Sequence, residues 1–505
     1  METADILIIG SGIACTSTLI EVFKRVLDNP KPEHKLRVTV IEKHNEFWLG
    51  IPYGSRSSLN ALTITSINDF FTDENERSLF FTWFKQNKSE LLNWYRNNGG
   101  QSARQWFERN QTALETEDWK NLYMPRYICG KYQQDKFDSA LDKVQEADLA
   151  ELQLIQAEAT NISPKNNSYN VTYETADKVV SVISALKVVL ATGSAPVKDI
   201  EQPSDSNVAL INDLYCPGAI TNIKKLAAAL ADTNAEADRN VLIVGSNASS
   251  IELLYLLAGL PDVTNLINKL VVISKSGLLP YHIIKGSTDS YPTDHLDKVK
   301  ADGGYTIQTL VDAAKKDINA AVKDGVAVSH IDKIIGYTIQ LLQPLSDDDK
   351  KAFIGVYGMQ LSNLFRRSGV DYKTGEGLLL ETQKLSLLKG AFSAIDQEGF
   401  LQYSEAGKTE IYPDKFKVVI NCTGANNLDE SSSKLIAGLV HNHIAKVNLS
   451  GKGFLVNEHF EAAPNLYVIG PLLGGNKNER IHFWHLENAS RIMCLAPYLA
   501  KCLVL

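Results

Sequence analysis

Hydrophobic and polar positions along the chain repeat one arrangement twice. The apolar run 5–9 is typical of a buried parallel strand, and the apolar-periodic stretch 16–26 that follows it predicts a helix. A second strand at 36–44 ends with an acidic residue and completes a β-α-β unit. The same succession of strand, small-residue loop and helix begins again at Asn240 and ends near Ser274. The chain therefore carries two such units.

Each unit is followed by short alternating strands, and the last of these runs into a turn of small residues. VVLATGSAP at 188–196 and VVINCTGAN at 418–426 form a matching pair. This duplication predicts an α/β fold of two Rossmann-like three-layer domains. The expected bounds are 1–205 with 428–505 for the first domain, 206–427 for the second, about 69–121 for a largely helical insertion and about 291–367 for a helical segment.

The composition limits the classes of partner. The 505 residues carry a formal net charge of −8, so a general nucleic-acid-binding surface is not expected. The six cysteines show no C-x-x-C spacing, which argues against a zinc ribbon or a dithiol redox centre, and no metal site is predicted. With no signal peptide, free thiols in a reducing cytoplasm are the simplest interpretation.

The last apolar stretch, RIMCLAPYLAKCLVL, predicts a packed helix. It contains Arg491, Pro497 and Lys501 and is too short to span a bilayer, so no integral membrane segment is expected. The sequence leaves the oligomeric state open, and an oligomer is possible.

The first small-residue loop has the features of a dinucleotide-binding turn. Gly10 and Gly12 lie where a strand turns tightly into a helix and can let a pyrophosphate approach the backbone. Cys15 takes the third position of the fingerprint, and Glu42 ends the next strand, where an acid can bond ribose hydroxyls. That acid argues against a 2′-phosphate, so the loop predicts FAD or NAD, and a chance Gly-x-Gly is the alternative. The residues predicted to contact this cofactor are Gly10, Ser11, Gly12, Ile13, Glu42, Lys43, Thr192 and Gly193.

The second loop is a weaker version of the first. Gly245 keeps the tight turn, but Asn247, which tolerates a left-handed backbone, replaces the second glycine. Where an NAD site would place an acid, the next strand ends with Ser274 and Lys275, which suits the 2′-phosphate of NADP. The alternatives are a domain that has lost its nucleotide and a solvated lysine. The predicted contacts are Gly245, Ser246, Asn247, Ser249, Ser250, Ser274 and Lys275.

The order of these segments resembles the two-dinucleotide-binding flavoprotein superfamily. More narrowly, the chain is similar to the FAD-NAD(P)-binding family, which is related to the N-hydroxylating and flavin-containing monooxygenases. Two departures from the pattern are Gly470-Pro471, where many superfamily members have Gly-Asp, and the polar stretch NKNERIHF before Trp484. The segments that carry the narrower resemblance are GIPYGSRSSLNALT (50–63), YMPRYICGKY (123–132), ISKSGLLPYH (273–282) and VIGPLLGG (468–475).

The resemblance implies FAD in the first unit and NADPH, rather than NADH, in the second. It also implies that Gly470, Pro471 and Leu472 belong to the FAD site. The backbone after Gly470 would begin a helix whose N-terminus can stabilise negative charge on the reduced flavin.

The resemblance further implies that Asn60 and Arg126 contact the flavin or the substrate; a turn-capping Asn and an ion-paired Arg are the alternatives. His482 and His485 flank Trp484 near the expected flavin edge and are, with Arg126, the catalytic candidates. Histidines that only pack are the alternative here. The tryptophans of the insertion could line a substrate pocket or form a core, and they are Trp83, Trp94, Trp106 and Trp119.

With FAD and NADPH bound, the leading function is a monooxygenase that uses molecular oxygen to oxygenate a small metabolite, for example by N-hydroxylation. The lack of a cysteine pair tells against a disulfide reductase. Two alternatives stay open: an NAD(P)H:acceptor oxidoreductase without oxygen insertion, and a non-catalytic dinucleotide-binding sensor. The substrate is not identified.

Overall fold

The computed structural model describes residues 3–29, 34–201, 206–282, 292–323 and 328–504. Its strands are β1 (Ala4–Ile9), β2 (Leu36–Glu42), β3 (Ala150–Gln156), β4 (Glu158–Lys165), β5 (Ser168–Glu174), β6 (Val180–Leu190), β7 (Ala209–Ile211), β8 (Asn240–Val244), β9 (Lys269–Ser274), β10 (Tyr281–His282), β11 (Arg367–Ser368), β12 (Leu385–Lys389), β13 (Ala391–Ile395), β14 (Phe400–Glu405), β15 (Lys408–Lys415), β16 (Val418–Asn421), β17 (Glu461–Ala463), β18 (Leu466–Val468), β19 (Asn476–Lys477) and β20 (His482–Phe483).

Helices alternate with these strands in each half of the chain. The α-helices are α1 (Ile13–Asp28), α2 (Gly50–Tyr53), α3 (Ile67–Phe70), α4 (Glu74–Asn98), α5 (Gly100–Glu115), α6 (Arg126–Glu146), α7 (Ala219–Ala231), α8 (Ala248–Ala258), α9 (Pro261–Thr264), α10 (Asp294–Asp302), α11 (Ile307–Lys323), α12 (Val328–Leu342), α13 (Asp347–Ala352), α14 (Gly358–Ser362), α15 (Val370–Glu381), α16 (Lys434–His441) and α17 (Ala489–Leu503). A π-helix, Phe353–Tyr357, joins α13 to α14.

The first sheet has the order β17-β18-β6-β1-β2-β3, and β5 and β4 extend it antiparallel from β6. Its central strand β1, ADILII, is buried along its whole length, as expected of a parallel strand covered on both faces. Helix α1 packs on this sheet and contacts both α6 and α17. The predicted packed helix near residue 490 is therefore confirmed as α17.

The second sheet repeats this order. It runs β12-β9-β8-β16-β7, with all neighbouring strands parallel. Strands β16-β8-β9-β12 thus correspond to β6-β1-β2-β3 of the first sheet. The predicted duplication, and with it the two Rossmann-like units, is confirmed. A separate antiparallel sheet, β13-β14-β15, packs beside the second sheet.

Both predicted helical regions are present. Helices α4 and α5 lie in the insertion, where Trp106 and Trp119 are buried in the main core and Trp94 is 49% exposed. Trp83 is partly buried and packs against the same core, so core packing accounts for three of the four tryptophans. Helices α10 to α14 enclose a second hydrophobic core, which runs from Leu296 to Phe365 and against which Trp484 packs.

The domain bounds stay a prediction. The first sheet draws its strands from 4–190 and 461–468, and the second from 209–421. The predicted boundary at residue 205 and the predicted start of the helical segment at residue 291 lie outside the described residues. Within the ranges given above, no helix combines the length and the apolar character needed to cross a bilayer.

Candidate dinucleotide sites

The first glycine loop joins β1 to α1 by a turn that only glycine can make. Gly10 has a φ of +92°, and a Cβ at this position would lie 2.5 Å from the Ala191 carbonyl oxygen. Gly12 is extended, and the backbone of Gly50 comes close to it: a Cβ on Gly50 would lie 3.0 Å from the Gly12 Cα. The loop is therefore enclosed by backbone from 191–192 and from residue 50.

Helix α1 begins with Ile13, and no side chain caps its first turn. Gly470, with a φ of +87°, passes over this turn, since a Cβ there would lie 3.4 Å from the Ala14 Cβ. An uncapped helix start lined by glycine backbone is suited to a pyrophosphate, because its amides and its dipole both favour an anion. The structure thus brings Gly10, Gly12 and Gly470 together as the sequence predicted.

Glu42 holds the loop in place. Its Oε2 accepts hydrogen bonds from the Ser11 amide (2.8 Å) and the Ser11 hydroxyl (2.9 Å), and its Oε1 accepts one from the His44 amide (3.0 Å). A carboxylate has about four acceptor positions, so one is left for a ribose hydroxyl. Lys43 is exposed and forms an ion pair with Glu158. A direct contact of Glu42 or Lys43 with the cofactor stays a prediction.

Two predicted contact residues carry buried polar atoms that lack a partner among the described residues, namely Thr192 Oγ1 and Asn60 Oδ1. Thr192 lies beside Gly10, and Gly193 has a φ of +78° with open space where a side chain would lie. Unpaired buried polar atoms are rare in folded proteins. Thr192 is consistent with a bound cofactor that completes its hydrogen bond, whereas Asn60 Oδ1 lies against Gly99 of the insertion, where a Cβ would be 2.8 Å from it. The role of both residues stays a prediction.

The helix expected after Gly470 is not formed. Pro471 and Leu472 belong to a three-residue 3₁₀ turn, Pro471–Leu473, and the next helix starts only at Ala489. Gly474 and Gly475 end the turn, and the polar stretch that follows forms the β19–β20 hairpin instead. The expected helix dipole at this point was therefore wrong, although the backbone of 470–472 still lies at the start of α1.

The second loop reproduces the turn of the first. Gly245 has a φ of +103°, and a Cβ there would collide with the Cys422 carbonyl oxygen. The expectation of a left-handed Asn247 was wrong, because its φ is −93°. Its side chain instead caps α8 by accepting a hydrogen bond from the Ser249 amide (3.1 Å). Ser250 is buried and donates to the Gly245 carbonyl (2.6 Å), and Ser246 is half-buried.

Lys275 and Ser274 end β9 at the same edge of the sheet as the second loop. Lys275 is exposed, and it forms no ion pair with any residue in the described ranges. The Ser274 hydroxyl accepts from the Gly277 amide at 3.1 Å. Both residues are accessible to a ligand, and their role in binding a 2′-phosphate stays a prediction.

The catalytic candidates lie in different surroundings. His482 is exposed on β20, whereas His485 is half-buried and burial, followed by Arg491 and Arg366, lowers the pKa of His485 to about 4. Its imidazole is therefore neutral at physiological pH, and its Nδ1 has no hydrogen-bond partner within the described residues. Arg126 forms a buried ion pair with Glu252, at 2.8 Å. A catalytic role for these three residues stays a prediction.

Two residues of these sites escaped sequence analysis. Arg56 is half-buried, its carbonyl accepts a hydrogen bond from the Ala219 amide (2.8 Å), and among the residues described its side chain forms neither an ion pair nor a hydrogen bond. Burial lowers the pKa of Arg56, and the charge of Glu42 opposes this shift in part. A cation of this kind beside the first loop is suited to a phosphate. Glu252 lay within GSNASSIE, but its partner is 126 residues earlier, a separation for which the sequence contains no signal.

Comparison with known proteins agrees with this geometry. Residues 7–195, which include the whole first glycine loop, match the FAD-NAD(P)-binding family model. Uncharacterized proteins of Mycobacterium tuberculosis (strain ATCC 25618 / H37Rv) and of Mycobacterium bovis are 35% identical to this chain over 511 residues, covering 99% of this chain and 95% of each relative.

Solved structures share the fold at low sequence identity. The FAD-bound cadaverine monooxygenase DfoA of Erwinia amylovora matches with a TM-score of 0.53 and 13% identity, covering 100% of this chain and 95% of that one. L-lysine 6-monooxygenase from Pseudomonas syringae matches with a TM-score of 0.53 and 15% identity, covering 99% of both chains. Together with the mycobacterial relatives, which match over nearly their whole length, these findings show that the chain belongs to the FAD-NAD(P)-binding family.

Proposed function

We propose that this protein is an FAD-dependent monooxygenase that uses NADPH and molecular oxygen to oxygenate a small metabolite. FAD, held by the first unit, would supply the redox chemistry by accepting hydride from NADPH and passing electrons to oxygen. The observation that carries the proposal is the pair of glycine loops with matching backbone, each at the end of a central parallel strand. One chain therefore offers sites for both dinucleotides.

Different residues of the first unit would bind different parts of FAD. The backbone around Gly10, Gly12 and Gly470 would receive the pyrophosphate, since a side chain would occupy that space. Glu42 would bind the ribose with its free acceptor position, and the unpaired guanidinium of Arg56 would bind phosphate. The predicted bounds of the FAD domain, 1–205 and 428–505, include every strand of the first sheet.

The second unit would hold NADPH rather than NADH. Lys275 places an exposed cation at the end of β9, where an NAD site has an acid that bonds the ribose. The hydroxyl of Ser274 lies next to it. A cation and a hydroxyl at this position favour the 2′-phosphate of NADPH.

Oxygen is favoured over a disulfide as the electron acceptor. In the described part of the chain all six cysteines are free, and Cys15, beside the first loop, is fully buried. Burial raises the pKa of the Cys15 thiol far above its usual range, so it is not a ready nucleophile. The solved structures of similar fold include enzymes that oxygenate cadaverine and lysine, which supports an amine among the candidate substrates.

Two alternatives use the same binding sites. An NAD(P)H:acceptor oxidoreductase would pass its electrons to a quinone or a partner protein without oxygen insertion. A sensor would bind dinucleotides without turnover, and the Asn247 cap, which occupies one amide of the second loop, is the observation in its favour.

An anaerobic titration of the purified yellow protein with NADPH and then NADH tests the proposal. We expect the flavin to bleach with a preference for NADPH and, on admission of air with a library of amines, to yield an oxygenated product. Reoxidation that gives only hydrogen peroxide with every amine would favour the acceptor oxidoreductase. No bleaching by either nucleotide would favour the sensor, and protein without flavin would overturn the proposal.

A further inference from the structure

A buried ion pair connects the two dinucleotide units. Arg126 is the first residue of α6 in the first unit, and its Nη1 lies 2.8 Å from Oε2 of Glu252. The two side chains are 12% and 3% exposed. Glu252 lies on α8 two residues after Ser250, so the pair reaches the helix that starts at the second glycine loop. We call this contact the Arg126–Glu252 bridge.

The first unit holds the guanidinium in a fixed direction. Arg126 Nε donates to the Leu62 carbonyl at 2.7 Å, and the Arg126 amide donates to the Ala61 carbonyl at 2.8 Å. Tyr372 on α15 donates to the same Leu62 carbonyl at 2.9 Å. Burial alone would lower the pKa of Arg126, but Glu252 raises it above its usual value, so the buried guanidinium keeps its charge.

The other end of α8 is also held against the first unit's insertion. Gly259 follows α8, and a Cβ there would collide with the hydroxyl of Ser102 on α5. Ser102 is buried, and its side chain packs directly against the backbone of Gly259. Helix α8 therefore contacts the first unit at two places, through Glu252 near its middle and through Gly259 just after its last residue.

We propose that Arg126 is a positioning residue for hydride transfer, which acts through Glu252 to hold α8 and the second glycine loop at a fixed distance from the first. The inference rests on the proposed function. A buried ion pair contributes little net stability compared with an apolar pair of similar volume, whereas it does impose distance and direction. Hydride transfer depends steeply on both, because misplacement by about 1 Å can cost about a hundredfold in rate.

Replacing both partners separates positioning from stability. Arg126→Met alone leaves Glu252 as an unpaired buried charge, so the double variant Arg126→Met with Glu252→Met is the main test. We expect this double variant to bind FAD and to unfold within a few degrees of the wild type. We also expect its limiting rate of flavin reduction by NADPH, measured anaerobically by stopped flow, to fall at least about tenfold. The NADPH dissociation constant should change by less than about threefold, because no nucleotide contact is removed.

The matched control is an ion pair on the same helix that lies within the first unit. Lys136 on α6 binds Glu76 on α4, with Nζ and Oε2 2.6 Å apart and side chains 22% and 21% exposed. The hydrogen bonds of these two side chains in the described structure stay between α4 and α6. Lys136→Met with Glu76→Gln should leave the limiting rate within about twofold of the wild type, and Arg126→Lys should recover part of the rate that Arg126→Met loses.

The outcomes separate the inference from the proposed function. A bridge variant with a normal limiting rate and a lower unfolding temperature would show a purely structural pair and overturn the inference, while the monooxygenase proposal would stand. A slow rate in the control pair as well would also overturn it, because the effect would not be specific to the bridge. Photochemical reduction of the flavin, which needs no nicotinamide, should proceed equally in all variants. Wild-type protein that neither nucleotide reduces would overturn both proposals.

Discussion

The two glycine loops have the same backbone and different side chains. Gly10 and Gly245 have φ values of +92° and +103°, and each packs against the carbonyl that follows the neighbouring strand. At the next glycine position the chain diverges. Gly12 leaves the start of α1 uncapped, whereas Asn247 binds the Ser249 amide and caps α8 with its side chain.

This difference predicts that the two loops bind their ligands in different ways. A pyrophosphate that enters the first loop would find the first amides of α1 uncapped, and backbone from residues 50 and 470 lies against the loop and this first turn. At the second loop a ligand must share or displace the Asn247 cap, and Gly424 lies beside the Asn247 side chain. The first loop therefore suits a resident cofactor, and the second suits a nucleotide that binds and leaves in each cycle.

The largest expected effect is the loss of FAD from Gly12→Asp. The extended backbone of Gly12 accepts a side chain, so the protein should fold, but the carboxylate would face the pyrophosphate. We expect the flavin content of the purified protein to fall below about a tenth of the wild-type value, since like-charge contact at a buried site costs several kcal/mol. The flavin absorbance per protein measures it.

Asn247→Asp is the matched control for that variant. It places the same charge at the equivalent position of the second loop, so FAD should be retained while the NADPH dissociation constant rises. If both variants lost FAD, the division of the cofactors between the loops would be wrong.

The next largest effect is expected from Lys275→Ala, which tests whether the second unit prefers NADPH to NADH. Removing the cation should raise the dissociation constant for NADPH about tenfold to fiftyfold, or about 2 kcal/mol, because one charge-assisted contact to the 2′-phosphate is lost. NADH, which lacks that phosphate, should bind within about twofold of the wild type. Lys269→Ala, at the opposite end of β9, serves as the control. Equal weakening of both nucleotides would contradict the assignment.

The segment that follows Gly470 at the first loop includes His485, which makes it sensitive to acid. Since the pKa of His485 is lowered to about 4, the unfolded chain binds a proton below pH 6.5 that the folded chain does not. Stability should therefore fall as the pH falls from 6.5 towards 4. We expect His485→Gln to remove about 1 kcal/mol of that loss at pH 5, after allowance for partial exposure. Chemical denaturation at pH 7 and pH 5 checks it.

The smallest expected effect belongs to the Asn247 cap itself. Asn247→Ala should lower the free energy of unfolding by about 1 kcal/mol, because the Ser249 amide loses its partner. Asn247→Gly should lower the free energy of unfolding by only a few tenths of a kcal/mol. It would leave the start of α8 without a side-chain cap, like the start of α1. If Asn247→Gly bound NADPH more tightly than the wild type, the cap would be a competitor of the nucleotide; weaker binding would make Asn247 a ligand.

The sequence predicted the duplicated sheet order because hydrophobic period and loop composition are local signals. The paired segments at 188–196 and 418–426 already indicated which strands lie beside each glycine loop. The contacts between units could not be predicted in this way. The Arg126–Glu252 bridge depends on how two helices meet in space. From the sequence alone, Arg126 was therefore equally compatible with an ion pair and with a contact to a ligand.

The sequence pattern also could not predict the local backbone conformation at two positions. Asn247 was expected to be left-handed because Asn tolerates that conformation, but an extended backbone lets its side chain cap α8. The helix expected after Gly470 was inferred from resemblance, and the glycines at 474 and 475 end it after three residues. In each case a side-chain or turn interaction within a few residues decided the outcome.

The order in which the strands are made has a consequence for how the protein matures. Strand β18 lies beside β6 in the first sheet, and α17 covers α1, yet about 270 residues of chain separate β6 from β18. A ribosome that has released β6 leaves this sheet incomplete, whereas every strand of the second sheet lies within 209–421. We therefore expect the unit numbered second to fold first, and flavin capture to wait until the final segment of the chain has emerged.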